Sequence, residues 1–555
     1  MRLIILISLF LPLFTEGQQT KYWVYLTDKD QVEFDPYSYF DQKAIDRRIR
    51  ENIDLCDITD FPINENYILE IEKNCDTING KSRWFNAVAC TANTEQLEII
   101  KQLPFVRKIE IMGSREVALS SFATQLSSFD EQLLIDQTES MQYSLFHQHE
   151  LTGKGVRIAV FDGGFKGFTS DNSFKRLIDN NQIRATYDFV RDTRFVFSFH
   201  NHGSHVMSCL AGMYNDIQMG CAIDAQYLLA RTEQVLSENR IEEENWLESL
   251  EWADKNGADI INSSLGYTDH FYFRSEMDGK TSIISKAANM AASKGILVVN
   301  SAGNEGGSYW EMVAAPADAD SVLTIGGINP KTGLHSDFSS FGPTSDKRLK
   351  PNLAAFGEVI GSSNEKREVA TGTSFSAPLV AGFAACVKQL HPEWTVKKLF
   401  HELEKSGNLY PYFDYAHGYG IPQASYFLDS AGKVVSPTLE FKYDTESKNI
   451  TLEFLLAADS TSKLYKVVAD STLIIAGELP DNIDSSEANQ TDYVYVHGEG
   501  KDGVLDFYEV YDATEASSIT IRGYWDDSHL LRAHYKGYTI EKLISNIIET
   551  KHDED

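Results

Sequence analysis

The pattern of apolar and polar positions divides the chain into segments of different kind. Behind Met1-Arg2, Leu3 to Phe14 is an almost unbroken apolar run, followed by small residues at Thr15 and Gly17. Twelve residues of helix span about 18 Å, too short for a hydrocarbon core of about 30 Å. The run therefore predicts a secretory signal over residues 1–17 cleaved after Gly17, with an uncleaved anchor as the other reading. No later segment reaches 18 consecutive apolar residues. The remainder is expected to be exported, with no membrane association after signal cleavage.

Over residues 18–113, strand-like runs fall at Tyr22–Leu26, Tyr67–Ile71, Trp84–Cys90 and Val106–Met112, with helical spacing at Phe40–Arg50 and Thr94–Leu103. The order β-α-β-β-α-β is that of a ferredoxin-like α+β unit. Residues 114–150, rich in Ser and Gln and weakly periodic, read as a linker and processing region. Across residues 151–431, apolar runs at Val156–Phe161, Gln226–Ala230, Asp259–Asn262 and Ile296–Asn300 have the length of buried parallel strands. Helical segments at Ile283–Lys294 and Ala377–His391 lie among them, which predicts an α/β domain with a mostly parallel sheet flanked by helices. Short alternating runs at Thr438–Tyr443, Asn449–Leu455, Tyr493–His497 and Val504–Tyr511 then predict a small antiparallel β domain within residues 436–555.

Composition narrows the function. With 42% apolar and 12% aromatic residues, the 555-residue chain can build large packed cores. Its net charge of −31 argues against nucleic acid or an anionic membrane as the main partner. That charge is uneven: residues 436–555 carry ten basic and 24 acidic residues, so the C-terminal module is the densest part. Six cysteines are too few for a disulfide framework in a chain of this size. Cys209 and Cys386 read as buried thiols, and a Cys209–Cys221 pair is the alternative for that region.

Three separated motifs carry chemistry. In Gly372-Thr-Ser374-Phe-Ser-Ala-Pro378, a serine stands at the start of a helix of small residues. The free N–H groups and positive end of such a helix favour a developing oxyanion. In His202-Gly-Ser-His205-Val, a histidine opens a second helix, where it can serve as a general base near neutral pH. Asp162 ends an apolar strand and precedes Gly163-Gly164. A carboxylate there lies at the sheet edge where α/β sites assemble, and can orient an imidazole. Asp171 and Asp188 are rivals that end no such strand. The cluster His200-Asn-His202-Gly-Ser-His205 also mimics the spacing of binuclear zinc hydrolases, although Ser204 stands where that pattern needs Asp.

The order Asp162, His202, Ser374 is that of subtilisin. On these residues the chain resembles the subtilisin-like serine peptidases, the subtilase family, over roughly residues 150–425. Asn262-Ser-Ser264-Leu265-Gly266 resembles the strand that pairs with bound peptide and walls the S1 pocket. Ser301-Ala-Gly-Asn304-Glu resembles the segment that supplies a side-chain oxyanion donor, here Asn304. The resemblance implies a serine endopeptidase with protein or peptide substrates and no cofactor or metal for its chemistry. It also implies an N-terminal unit acting as inhibitory propeptide, with a retained N-terminal domain as the alternative. Structural calcium, frequent in similar proteins, cannot be assigned among so many carboxylates. A scaffold kept for binding without turnover is the other functional reading. The chain departs from the family pattern at Gly163, Asn201 and Phe356, none of them a reacting group. Ser308, Tyr309, Trp310 and Met312 are candidates to line or cap the S1 pocket.

Overall fold

The N-terminal unit is built on a four-stranded antiparallel sheet. Its elements run β1 (Thr20–Leu26), α1 (Pro36–Tyr39), α2 (Gln42–Glu51), α3 (Glu65–Glu72), β2 (Thr77–Ser82), β3 (Ala87–Ala92), α4 (Thr94–Lys101) and β4 (Val106–Met112), with sheet order β2-β3-β1-β4. One expected strand is a helix. Tyr67–Ile71 lies in α3, where Asn64 accepts the Asn66 N–H as a cap. Ile68 and Ile71 are buried three residues apart while Leu69 is exposed, so a short run readable at either period resolves at the helical one. The missing strand is the polar Thr77–Ser82, an edge strand without a continuous apolar signal.

The structure is a computed structural model that describes residues 20–112, 131–234, 241–268, 271–428, 435–444, 449–455, 466–467, 492–514, 516–521 and 529–549. The expected signal segment and residues 114–130 of the expected linker lie outside them. The rest of that linker is not a linker. Residues 131–148 form α5 (Glu131–Glu139) and α6 (Tyr143–Gln148), and Leu133, Leu134, Met141, Tyr143 and Phe146 are buried in the largest hydrophobic core. Polar residues hid them. Buried Gln137, for example, donates to the Met219 carbonyl at 2.7 Å and accepts the Ile360 N–H at 2.9 Å, so it is satisfied inside the protein.

The large domain continues through β5 (Arg157–Asp162), α7 (Lys175–Asp179), β6 (Ile183–Asp188), α8 (His202–Ala211) and a hairpin of β7 (Met213–Tyr214) and β8 (Ile217–Gln218). It proceeds through β9 (Gln226–Arg231), α9 (Ile241–Lys255), β10 (Ile260–Ser263), α10 (Ile283–Ser293), β11 (Leu297–Ser301), β12 (Val322–Ile328) and β13 (Leu353–Phe356). A hairpin of β14 (Glu358–Ser363) and β15 (Lys366–Thr371) leads into α11 (Thr373–Leu390) and α12 (Val396–Lys405). Seven strands pair in parallel in the order β13-β12-β11-β10-β5-β9-β6. Helix α11 is buried at every position from Thr373 to Lys388, which explains its small apolar composition. It begins four residues before the expected start.

Two further antiparallel sheets, of three and five strands, form the C-terminal module around Phe441, Leu452, Val494, Val496, Ile519 and Leu531. The N-terminal sheet lies on the large domain. Trp23, Ala87 and Ala89 of the sheet and Trp84 of the β2–β3 turn share one hydrophobic cluster with Trp246, Leu247 and Leu250 of α9 and Ile284 and Ala287 of α10. All six cysteines are free thiols, so Cys209 and Cys221 are not bonded to each other. Among the described residues, no helix is long and apolar enough to cross a membrane.

Candidate active site

The parallel sheet delivers three segments to one edge. Strands β11, β10 and β5 are neighbours, with Phe161 opposite Ser263 and Ser263 opposite Asn300. Asp162, the segment Ser264–Gly266 and the segment Ala302–Asn304 therefore emerge side by side at the carboxyl ends, where crevices form in such folds. Asp162 is fully buried, and its Oδ1 accepts the Gly163 N–H at 2.8 Å. Its Oδ2 lies 2.8 Å from His202 Nδ1. A carboxylate at that position requires the proton on Nδ1, which leaves Nε2 as the basic nitrogen. Burial pulls the His202 pKa down, but the charge and hydrogen bond of Asp162 outweigh it and hold the group above the ordinary 6.5.

His202 is the first residue of α8, and the loop after Asp162 packs on that turn. The Gly203 N–H donates to the Gly164 carbonyl at 3.1 Å. A Cβ on Gly203 would lie 2.5 Å from that same oxygen, so the approach that sets His202 against Asp162 needs glycine there. The His202 ring lies 5.3 Å, centroid to centroid, from Phe375, which follows Ser374.

Ser374 is the second residue of α11, so its N–H has no acceptor within the helix. Its hydroxyl donates to the Ser264 carbonyl at 3.3 Å, and the Ser264 hydroxyl donates to the Ser374 carbonyl at 2.8 Å. Ser264 and Leu265 are buried and Gly266 is exposed. The Leu265 carbonyl accepts from Asn300 Nδ2 at 2.9 Å, which ties this wall to β11. Asn304 meets the same turn. Its Oδ1 accepts both the N–H and the hydroxyl of Thr373, each at 2.9 Å. With the carbonyl end of the amide occupied, its donor end is left for another acceptor. Thr373 carries no signal of its own in the motif, because its role as a clamp depends on a contact 69 residues away in sequence.

The other candidate residues make contacts of their own. Asp171 accepts the Ser173 N–H and the Ser362 hydroxyl, both at 2.9 Å, and Asp188 pairs with Arg231 at 3.0 Å. The three histidines do not converge. His200 Nδ1 accepts the His202 N–H at 3.2 Å, His202 faces Asp162, and His205 Nε2 lies 3.3 Å from Glu368. Of the pocket candidates, Trp310 and Met312 belong to the hydrophobic core, whereas Tyr309 is 85% exposed.

Comparison with known proteins bears on the family of the chain. Residues 153–420 match a family model described as the subtilase family, and residues 21–128 match one described as the peptidase S8 propeptide domain, Bacteroidota. The chain is 27% identical to Subtilisin E of Bacillus subtilis (strain 168) over 335 residues, covering 58% of this chain and 76% of that protein. It is 29% identical to Subtilisin BL of Lederbergia lenta over 261 residues, covering 47% of this chain and 86% of that protein. It is also 29% identical over 330 residues to the minor extracellular protease Epr of Bacillus subtilis (strain 168), covering 58% of this chain and 46% of that protein. With a subtilase-family peptidase domain over residues 153–420 behind a peptidase S8 propeptide domain, the chain is a subtilisin-like serine endopeptidase made as a precursor.

Proposed function

We propose that Asp162, His202 and Ser374 are the catalytic triad of an exported endopeptidase. Ser374 Oγ attacks the scissile carbonyl while His202 Nε2 takes its proton. His202 then gives that proton to the leaving amine, and a water repeats the sequence to release the acyl group. Asp162 holds the Nδ1 tautomer and stabilises the imidazolium that forms. Asn304 Nδ2 and the Ser374 N–H hold the oxyanion, a role worth about 2.7–4 kcal/mol for one such donor. Ser264–Gly266 offers backbone to the substrate strand. The observation that carries the reading is the 2.8 Å bond from His202 to Asp162 at the sheet edge where α11 presents Ser374. Ser374 Oγ here donates to the Ser264 carbonyl at 3.3 Å, and the proposed chemistry requires it to pass its proton to His202 Nε2 instead.

The same reading takes residues 1–17 as the export signal, 18–113 as an inhibitory propeptide, processing in the 114–130 part of the expected 114–150 region, and a C-terminal module from about residue 436. What supports the inhibitor is the propeptide-domain match and the broad seating of this unit on α9 and α10. A fluorophosphonate probe should label Ser374 in the processed protein, and Ser374→Ala should abolish casein cleavage. Undiminished cleavage by that variant would sink the assignment.

A further inference from the structure

The face of α9 beneath the propeptide sheet carries carboxylates that the catalytic reading does not use. Glu244 has a 2%-exposed side chain, and neither of its oxygens has a hydrogen-bond partner among the described residues. Its nearest cation is Lys21 of β1, at 4.0 Å. One turn on, Glu248 Oε1 accepts the Lys81 N–H of β2 at 2.9 Å. The propeptide is moulded to both. A Cβ on Gly80 would stand 3.0 Å from Glu248 Oε1 and 3.5 Å from Glu244 Oε2. Glu251, the next acid on this face, is fully provided for: it accepts the Ser82 hydroxyl at 2.6 Å and the N–H groups of Arg83 and Trp84, each at 3.1 Å.

We propose that Glu244 and Glu248 are a proton-operated release for the propeptide: uncharged they lie under its sheet, and ionised they weaken its hold on α9. A buried carboxylate without donors, as Glu244 is, is costly chiefly when charged, whereas Glu248 is offered the Lys81 N–H alongside its burial. The charged groups facing the pair are Lys21 and Lys81 of the propeptide, Glu243 and Glu251 of α9, and Asp192 after β6, with Tyr187 of β6 also near. Negative groups prevail among them. Burial first, then these neighbours, push both carboxyls up to about 7 against an ordinary 4.5, with Lys21 and the Lys81 N–H opposing. Once the propeptide leaves, this face meets water and the two groups return toward their ordinary range. Protons therefore bind more tightly to the complex than to its parts. Affinity is greatest below about pH 4.5, falls as pH rises, and levels off above about 7.

The inference rests on residues 20–112 being the inhibitory propeptide, but its test needs no catalysis. The full chain would carry Ser374→Ala and a recognition sequence for an added site-specific protease within residues 113–130. It would be cut, held on a resin by its C-terminus, and washed at pH 5 to 9 while the eluted propeptide is measured. The expected result is retention at pH 5 and release at pH 8, with dissociation stronger at pH 8 by about tenfold or more. The Glu244→Gln, Glu248→Gln double variant, uncharged at every pH, should keep its propeptide at pH 8. Release independent of pH, or release that grows toward acid, would overturn the proposal on the parent chain alone. A double variant that releases like its parent would do so as well. Whether Ser374 is the nucleophile is read separately, by probe labelling and casein cleavage.

Discussion

Thr373 holds Asn304 by two hydrogen bonds to one atom: its N–H and its hydroxyl both donate to Asn304 Oδ1 at 2.9 Å. The residue before the proposed nucleophile thereby sets the orientation of the proposed oxyanion donor. Thr373→Val keeps the shape and the backbone bond but loses the hydroxyl. A bond of this kind has a net worth of about 1 kcal/mol, so kcat should fall about fivefold with little change in KM. Asn304→Ala should cost about 100- to 1,000-fold in kcat, a range established on subtilisin. Steady-state kinetics on one peptide substrate separates the two. Equal losses would show that Thr373 does more than orient Asn304.

Replacing Asp162 by Asn should lower kcat by about 10,000-fold, because the amide favours the wrong imidazole tautomer. The pH profile should move as well. Asp162 is what raises the His202 pKa against the effect of burial. The base works only when neutral, so activity in the parent is lost as pH falls through that raised value. In the variant the acid limb of kcat/KM should lie at lower pH. An unmoved limb would mean that another group controls it.

Gly372→Ala tests the turn that precedes the nucleophile. Gly372 has φ +143°, and a Cβ there would lie 3.4 Å from Asn304 Nδ2. Backbone strain of this kind costs about 1–3 kcal/mol, so the variant should lose thermal stability. The added methyl only touches Asn304 Nδ2, so the expected loss of kcat comes from the strained turn displacing Ser374 from its proposed place. Full kcat with a normal melting temperature would contradict the proposed geometry.

Asp254, at the base of α9, pairs with Arg48 at 2.8 Å and Arg83 at 2.6 Å and also with Arg47, all three from the propeptide. Burial alone would raise its pKa, but the three guanidiniums hold it well below 3.8. A depressed carboxyl stabilises the complex above its unperturbed value, and that stability is lost as pH falls toward the folded value. Asp254→Asn should therefore destabilise the Ser374→Ala precursor at neutral pH by about 3–5 kcal/mol. The peptidase freed of its propeptide should melt almost unchanged, since Asp254 is then solvated. Calorimetry on both forms reads the difference.

Much of the site was legible because its parts are local. Asp162 at the end of an apolar strand, His202 opening α8 and Ser374 opening α11 each announce themselves within a few residues. Strand ends and helix starts are short-range features, and the parallel sheet brings them together by its order alone. Elsewhere one pattern serves two structures. Tyr67–Ile71 fits a strand or a helix until Asn64 caps it. The Gln- and Ser-rich stretch of residues 131–148 looked like a linker because side-chain hydrogen bonds, invisible to hydropathy, let it enter the core.

The sequence by itself carries the subtilase and propeptide motifs, the proposed order Asp162, His202, Ser374 and an acidic C-terminal stretch. Each is written in contiguous motifs, or in periodicity a few residues long. Only the tertiary structure decided that Thr373 clamps Asn304, that Trp310 is core while Tyr309 faces water, and that Glu244 lies under the propeptide beside Gly80. These are contacts between distant segments, and burial and electrostatics act through space. An acidic helix reads as a solvated face until a second sheet is laid upon it.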